Sequence, residues 1–173
     1  GLLKKIVKAC DPDMICLQET KTPDEFFPAD DIRALGYGHQ HIHGMKSYNG
    51  VAVLSRVPLA ATTVHHRVGR EDCRHIAVRL QSDKFKKPVE LHCLYVPAGG
   101  DIPDPKLNEK FDHKLKFVDE MAAWFPANLR ADAPAVALGD FNIAPLEHDV
   151  WSHRQLLDVV SHTPIEVEKL GLM

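Results

Sequence analysis

The chain has 173 residues, is 45% hydrophobic and 26% charged, and carries a formal charge of −3 at neutral pH. That length can bury a sizeable core, the composition is that of a folded globular protein rather than a disordered one, and no apolar run is long enough to span a membrane. The acidic balance excludes binding a polyanion through overall charge, so a nucleic-acid reading has to rest on a local basic patch.

The chain starts with Gly1, not Met, and Leu2, Leu3, Ile6, Val7 and Cys10 repeat at helical spacing. Lys4, Lys5 and Lys8 break up any continuous apolar stretch, so this segment is not a secretory signal and a cytoplasmic location is expected. Asp11-Pro12-Asp13 ends the helix, and residues 14–17 form a short buried strand. Residues 28–35 predict a short helix stopped by Gly36. Residues 37–43 predict a strand, 44–50 a loop and 51–54 a buried strand. Residues 75–80 and 89–96 predict two strands joined by a polar hairpin loop, with Lys84, Lys86 and Lys87 at its solvated tip. A Pro/Gly/Asp-rich loop at 97–105 leads into the longest helix, 107–125, with Phe111, Leu115, Val118, Met121 and Ala122 on one face. Residues 135–138 predict a buried strand, and 155–160 and 165–170 two further helical segments. There is no repeat and no linker. A single α/β domain with helices outside a strand-rich core is the expected architecture.

Cys10, Cys16, Cys73 and Cys93 show no C-x-x-C spacing, and Cys16 and Cys93 lie in apolar runs. Neither a disulfide nor zinc is expected.

The strands at 14–17, 91–94 and 135–138 end alike, in Gln18-Glu19-Thr20, Tyr95-Val96-Pro97 and Gly139-Asp140-Phe141-Asn142. Rigid strands fix the groups at their ends. Together these ends offer two carboxylates, an amide and a phenol, an oxygen-rich set suited to a hard cation such as Mg²⁺. Singly they read more plainly: Glu19 as a solvated strand end, Asp140-x-Asn142 as an Asx turn, Tyr95 as a core-edge aromatic.

In this order and spacing, Leu17-Gln18-Glu19-Thr20, Tyr95-x-Pro97 and Gly139-Asp140-Phe141-Asn142 resemble the endonuclease/exonuclease/phosphatase superfamily. Within it the chain is similar to the exonuclease III branch of abasic-site endonucleases. The blocks from Asp13 to Lys21, from Gly44 to Ala52 and from Leu138 to Pro145 carry that likeness. The resemblance implies a two-sheet α/β sandwich flanked by helices, with the site at one rim where Glu19, Tyr95, Asp140 and Asn142 converge. It implies Glu19 as main metal ligand, with Asp140 and Asn142 contributing. Asp140 would ready the attacking water, Asn142 would hold that water or a phosphate oxygen, and Tyr95 would stabilise the phosphate. The cofactor implied is Mg²⁺, with Mn²⁺ as a substitute, and the partner is double-stranded DNA with abasic sites or 3′ ends. Membrane association is not expected, and a monomer is.

The family opens with an Asn-bearing strand and closes with an Asp-bearing strand and an Asp-His pair, which have no counterparts here. Residues 1–173 are therefore expected to be one domain lacking its first and C-terminal strands, and to fold and turn over poorly alone. Ala98 stands where the branch commonly has an amide.

Lys46, Asn49 and Arg74 are candidate DNA contacts, while Lys114 and Lys116 on the long helix read as solvated charges. His39, His41 and His43 share one face of a strand, most simply a polar edge. His65-His66 has no evident partner. Three functions stay open: a Mg²⁺-dependent DNA-repair nuclease, another phosphoesterase acting on a lipid, inositol phosphate or nucleotide, and an inactive or non-catalytic DNA-binding fragment.

Overall fold

The computed structural model describes residues 1–81, 83, 86–130 and 132–173, so Lys84 at the predicted hairpin tip lies outside the described residues. The chain forms two compact units. One comprises Gly1–His66, Glu71–Tyr95 and Ala131–Gly139; the other comprises Arg67–Arg70, Val96–Arg130 and Asp140–Met173.

The first unit opens with helix α1 (Leu2–Cys10), whose end Asp11 adopts a left-handed conformation and donates its N–H to Val7 O at 2.9 Å. Strand β1 (Met14–Gln18), a 3-10 turn at Asp24–Phe26 and helix α2 (Ala29–Arg33) follow. Then come β2 (His39–Met45), β3 (Tyr48–Ser55), β4 (Leu59–Val64), β5 (His75–Leu80), β6 (Val89–Tyr95) and β7 (Ala135–Asp140). The strands form a three-stranded sheet in the order β1-β3-β2 and a four-stranded sheet in the order β4-β5-β6-β7. In the first sheet β3 runs antiparallel to both neighbours, with Cys16 opposite Val53 on one side and His41 opposite Val53 on the other.

Strand β3 shows why the sheets stack. It is buried from Asn49 to Ser55, and its side chains alternate between two cores. Val51 and Val53 pack with Ile76, Val78 and Leu80 of β5 and Leu91, Cys93 and Tyr95 of β6, filling the space between the sheets. Ala52 and Leu54 point the other way, to Phe27, Ile32 and Tyr37, with Leu3 and Val7 of α1 against that cluster. Each fully buried Val, Leu or Ile contributes about 1.5–3 kcal/mol, so a strand buried on both faces anchors the unit. Tyr37, fully buried, donates its hydroxyl to Pro12 O at 2.7 Å.

The sequence expectations differ from this in particular places. Strand β3 begins at Tyr48, so the predicted loop shrinks to a tight β2–β3 turn. Strand β4 was not predicted: all but its first residue are exposed, so it carries no apolar alternation. Strand β7 is exposed over most of its length rather than buried, since β6 is its one strand neighbour among the described residues. Strand β1, at the edge of its sheet, is half-buried.

The second unit holds α3 (Glu109–Asn128), α4 (His153–Leu156) and α5 (Pro164–Gly171). The Asn108 side chain caps α3 by accepting from Lys110 N. At α5, Thr163 and Glu166 form a reciprocal capping box behind Pro164. Helices α3 and α5 pack together and are joined by a Lys169–Asp119 ion pair. Among the described residues no helix is long and apolar enough to cross a membrane.

Candidate active site

In the first unit the site is built on the end of β1. Glu19 takes a φ of 56°, and the chain is then pinned to the start of β3: Thr20 N–H donates to Gly50 O at 3.2 Å and Lys21 N–H to Asn49 O at 2.8 Å. Gly50 has a φ of +99°, and a Cβ there would meet Thr20 Oγ1 at 2.1 Å, so only glycine allows this approach. The Glu19 carboxylate lies 2.6 Å from the Lys21 ammonium and its side chain is 41% exposed. Hydrogen bonds from Lys21 and then Tyr95, with the Arg74 charge nearby, hold the Glu19 carboxyl below the usual carboxylate range.

Tyr95, the last residue of β6, is nine-tenths buried. Its N–H donates to Arg74 O at 2.8 Å, and Arg74 Nη1 donates to Tyr95 O at 3.3 Å. The Arg74 guanidinium also sits 4.7 Å from the centre of the phenol ring, within cation–π range. Arg74 Nε pairs with Asp72 Oδ2 at 2.6 Å, and Asn49 Nδ2 donates to Asp72 O at 2.8 Å. Glu19, Tyr95 and Arg74 thus form one charged cluster with Asp72 behind it.

Approaching the second carboxylate, Gly139 has a φ of +143°, and a Cβ there would fall 1.9 Å from Leu94 O; glycine lets β7 close onto β6. Asp140 then begins a stretch of the second unit. Its carbonyl accepts from Val96 N at 2.9 Å, and its Oδ1 accepts from Asn142 N at 2.9 Å. That is the Asx turn anticipated from sequence, and it fixes the direction of the carboxylate. Asn142, at a φ of 51°, donates Nδ2 to Val96 O at 2.9 Å.

Beneath this turn lies a buried ion pair. Lys114 Nζ is 2.5 Å from Glu166 Oε1, and both side chains are fully buried. The same ammonium donates to Asn142 O at 2.6 Å and Ala98 O at 3.2 Å. Glu166 accepts from Ser161 N, Thr163 N and the Thr163 hydroxyl. Burial pushes the Lys114 ammonium down, opposed by Glu166 and by Asp140. The reading of Lys114 as a solvated charge is therefore corrected: its helical face is covered, and the charge is spent on carbonyls and a carboxylate. Lys116 does lie in solvent, paired with Asp112 at 2.6 Å.

Of the three candidate DNA contacts, only Lys46, in the β2–β3 turn, is exposed. Asn49 and Arg74 are buried and engaged with Asp72. Asp72, Lys21 and Glu166 were not singled out from sequence. Lys21 beside Glu19 was the legible one; the others carry no motif. His65 does have partners, the rings of His75 and His92.

A hard dication suits the first-unit donors. Glu19 is ionised, partly exposed and rigidly mounted, and its present counter-charge is a half-exposed lysine that can swing away.

The Endonuclease/Exonuclease/phosphatase family model matches residues 1–160. The chain belongs to the endonuclease/exonuclease/phosphatase family. Within the family, exodeoxyribonuclease III of Haemophilus influenzae is 28% identical over 149 residues, covering 86% of this chain and 54% of that protein. The DNA repair nuclease APEX1 of Danio rerio is 29% identical over 166 residues, covering 94% and 50%. The chain thus spans about half the length of the curated relatives it matches. An AP endonuclease structure from Archaeoglobus fulgidus superposes with a TM-score of 0.84 at 27% identity, over 97% of this chain and 62% of that one. The family's two-sheet α/β fold is the fold of this chain.

Proposed function

We propose that the protein is a metal-dependent phosphodiesterase of DNA repair, cutting double-stranded DNA at abasic sites and trimming 3′ ends. The observation that carries this is the Glu19 carboxylate, kept charged by Lys21 and Tyr95 on a rigid strand end and backed by buried Arg74. The names of the relatives support the substrate class.

Each residue has a role its local structure suits. Glu19 is the principal ligand for Mg²⁺, or Mn²⁺ in its place. The bound ion would supply positive charge to the phosphate oxygens. Asp140, oriented by its Asx turn, takes the proton of the attacking water. Asn142 shapes the Asp140 turn through Val96 and Lys114 and helps hold the water or the ion. The Tyr95 phenol hydrogen-bonds a phosphate oxygen, with Arg74 strengthening it from behind the ring rather than touching DNA itself. Lys46 contacts the DNA backbone, and Asn49 supports the Asp72 carbonyl.

A second reading, a phosphoesterase for a nucleotide, lipid or inositol phosphate, is favoured by the net charge of −3 and by Ala98, which brings no amide to the substrate. One assay separates the two: Mg²⁺-dependent cleavage of an abasic-site duplex against a panel of small phosphodiesters. Preference for the duplex, with Glu19→Gln raising the Mg²⁺ concentration required, supports the nuclease. Preference for a small ester overturns it.

A further inference from the structure

On the face of the four-stranded sheet turned away from the sandwich core, three imidazoles gather. His75 opens β5 and His92 lies in β6; both are fully buried, whereas Ile76 and Cys93 beside them point into the core. His65 follows β4, is partly exposed, and donates its backbone N–H to His75 O at 3.0 Å. One ring nitrogen from each of the three lies within 4.8 Å of the others.

We infer that His65, His75 and His92 form a Zn²⁺ site that uses none of the residues of the Glu19 cluster. The geometry of His92 argues most directly for it. Its Nδ1 faces His75 Nε2 at 2.9 Å, while its Nε2 lies 3.1 Å from Glu90 Oε1. The Glu90 carboxylate stands beside Nε2, close enough to take its N–H after a small turn of the ring; Nδ1 would then be the lone-pair donor, the arrangement that orients histidines bound to zinc. That lone pair points at the second imidazole. The His65 ring stacks on His75 with centroids 4.4 Å apart and planes at 29°, and its Nε2 is 3.3 Å from Thr63 Oγ1.

Zn²⁺ sits about 2.0–2.1 Å from imidazole nitrogen, and a tetrahedral pair of such nitrogens is roughly 3.3 Å apart. The His75 and His92 rings must therefore part by a few tenths of an ångström, and the partly exposed His65 ring must turn from its stack on His75 and bring its nitrogen in from a separation of up to 4.8 Å. The proton between them moves to the other nitrogen of His75, and no net charge is lost. Partly exposed His65 gives the ion an entry path, and three protein ligands leave a fourth position for water. An all-imidazole set favours a borderline ion over Mg²⁺, which takes oxygen ligands. The cysteine spacing argued against thiolate zinc; these ligands come from residues far apart in sequence.

The test is calorimetric titration of Zn²⁺ into the purified protein in excess Mg²⁺, repeated with Co²⁺ and visible absorption. The expected result is one saturable Zn²⁺ per chain and the intense visible bands of tetrahedral Co²⁺. His65→Ala, which alters a partly exposed side chain, keeps the wild-type circular dichroism and loses at least tenfold in affinity. His92→Phe removes binding, and Glu90→Gln weakens it about 10–100-fold. Glu19→Gln leaves Zn²⁺ affinity unchanged. If His92→Phe does not fold, His65→Ala and Glu90→Gln decide. The inference is overturned by no saturable uptake in the wild type, by equal affinity in His65→Ala, or by loss of binding in Glu19→Gln.

Discussion

Lys21 is the first donor to the Glu19 carboxylate, and that makes its removal informative. The Glu19 pKa is depressed in the folded chain, so its charge is present above the ordinary carboxylate range and survives until pH falls through the lower folded value. In Lys21→Met the carboxyl returns towards its ordinary range, and protons compete with Mg²⁺ from a higher pH. The acidic limb of the Mg²⁺-dependent rate profile should move up in pH; an unmoved limb would show that Lys21 does not set the charge of Glu19. Lys114 is a different case. With both partners fully buried, Lys114→Met strands the Glu166 carboxylate, at a cost of about 3–5 kcal/mol. Denaturant unfolding should show that loss, and a change below about 1 kcal/mol would contradict the buried pair. Residues of this scale were unevenly legible. Glu19, Tyr95, Asp140 and Asn142 stand at strand ends in recognisable blocks. Lys114 on an amphipathic helix looks like any solvated lysine until its partner, 52 positions later, is in place, and Asp72 acts through a side chain and a carbonyl that no motif records.

At the scale of elements, β3 was the easiest to read and β4 the hardest, for one physical reason. A run such as Val51-Ala52-Val53-Leu54 belongs to a strand covered on both faces, whereas Leu59-Ala60-Ala61-Thr62-Thr63-Val64 is an exposed edge held by backbone pairing to β5. Pairing to a distant strand leaves no mark in local composition. The same contrast predicts mutational cost. Leu54→Ala opens a cavity beside Phe27 and Tyr37 and should cost about 2–5 kcal/mol, read as a fall in Tm of roughly 5–15 °C. Thr62→Ala on β4 should change Tm by only a degree or two. Similar Tm changes for the two would contradict the burial pattern. Gly139→Ala is expected to disturb the Asp140 approach, because its Cβ would enter the Leu94 carbonyl; catalytic loss larger than its effect on DNA binding is the expected signature.

For the whole molecule, the family match over residues 1–160 and the depressed Glu19 carboxyl support the proposed metal-dependent phosphodiesterase, and the names of the relatives support the proposal of DNA as its substrate. The sequence blocks announced the fold class because they sit at strand ends that any two-sheet sandwich of this family must fix. The histidine cluster stayed hidden, since His65, His75 and His92 meet only through the pairing of β4, β5 and β6. The most direct test is the Asp140→Asn variant with an abasic-site duplex in Mg²⁺, measuring binding and single-turnover cleavage side by side. The account predicts duplex affinity close to wild type and a cleavage rate reduced about 10²–10⁴-fold, the range for losing a general base. Near-normal cleavage by that variant, or cleavage by the wild type that persists in excess EDTA, would contradict it.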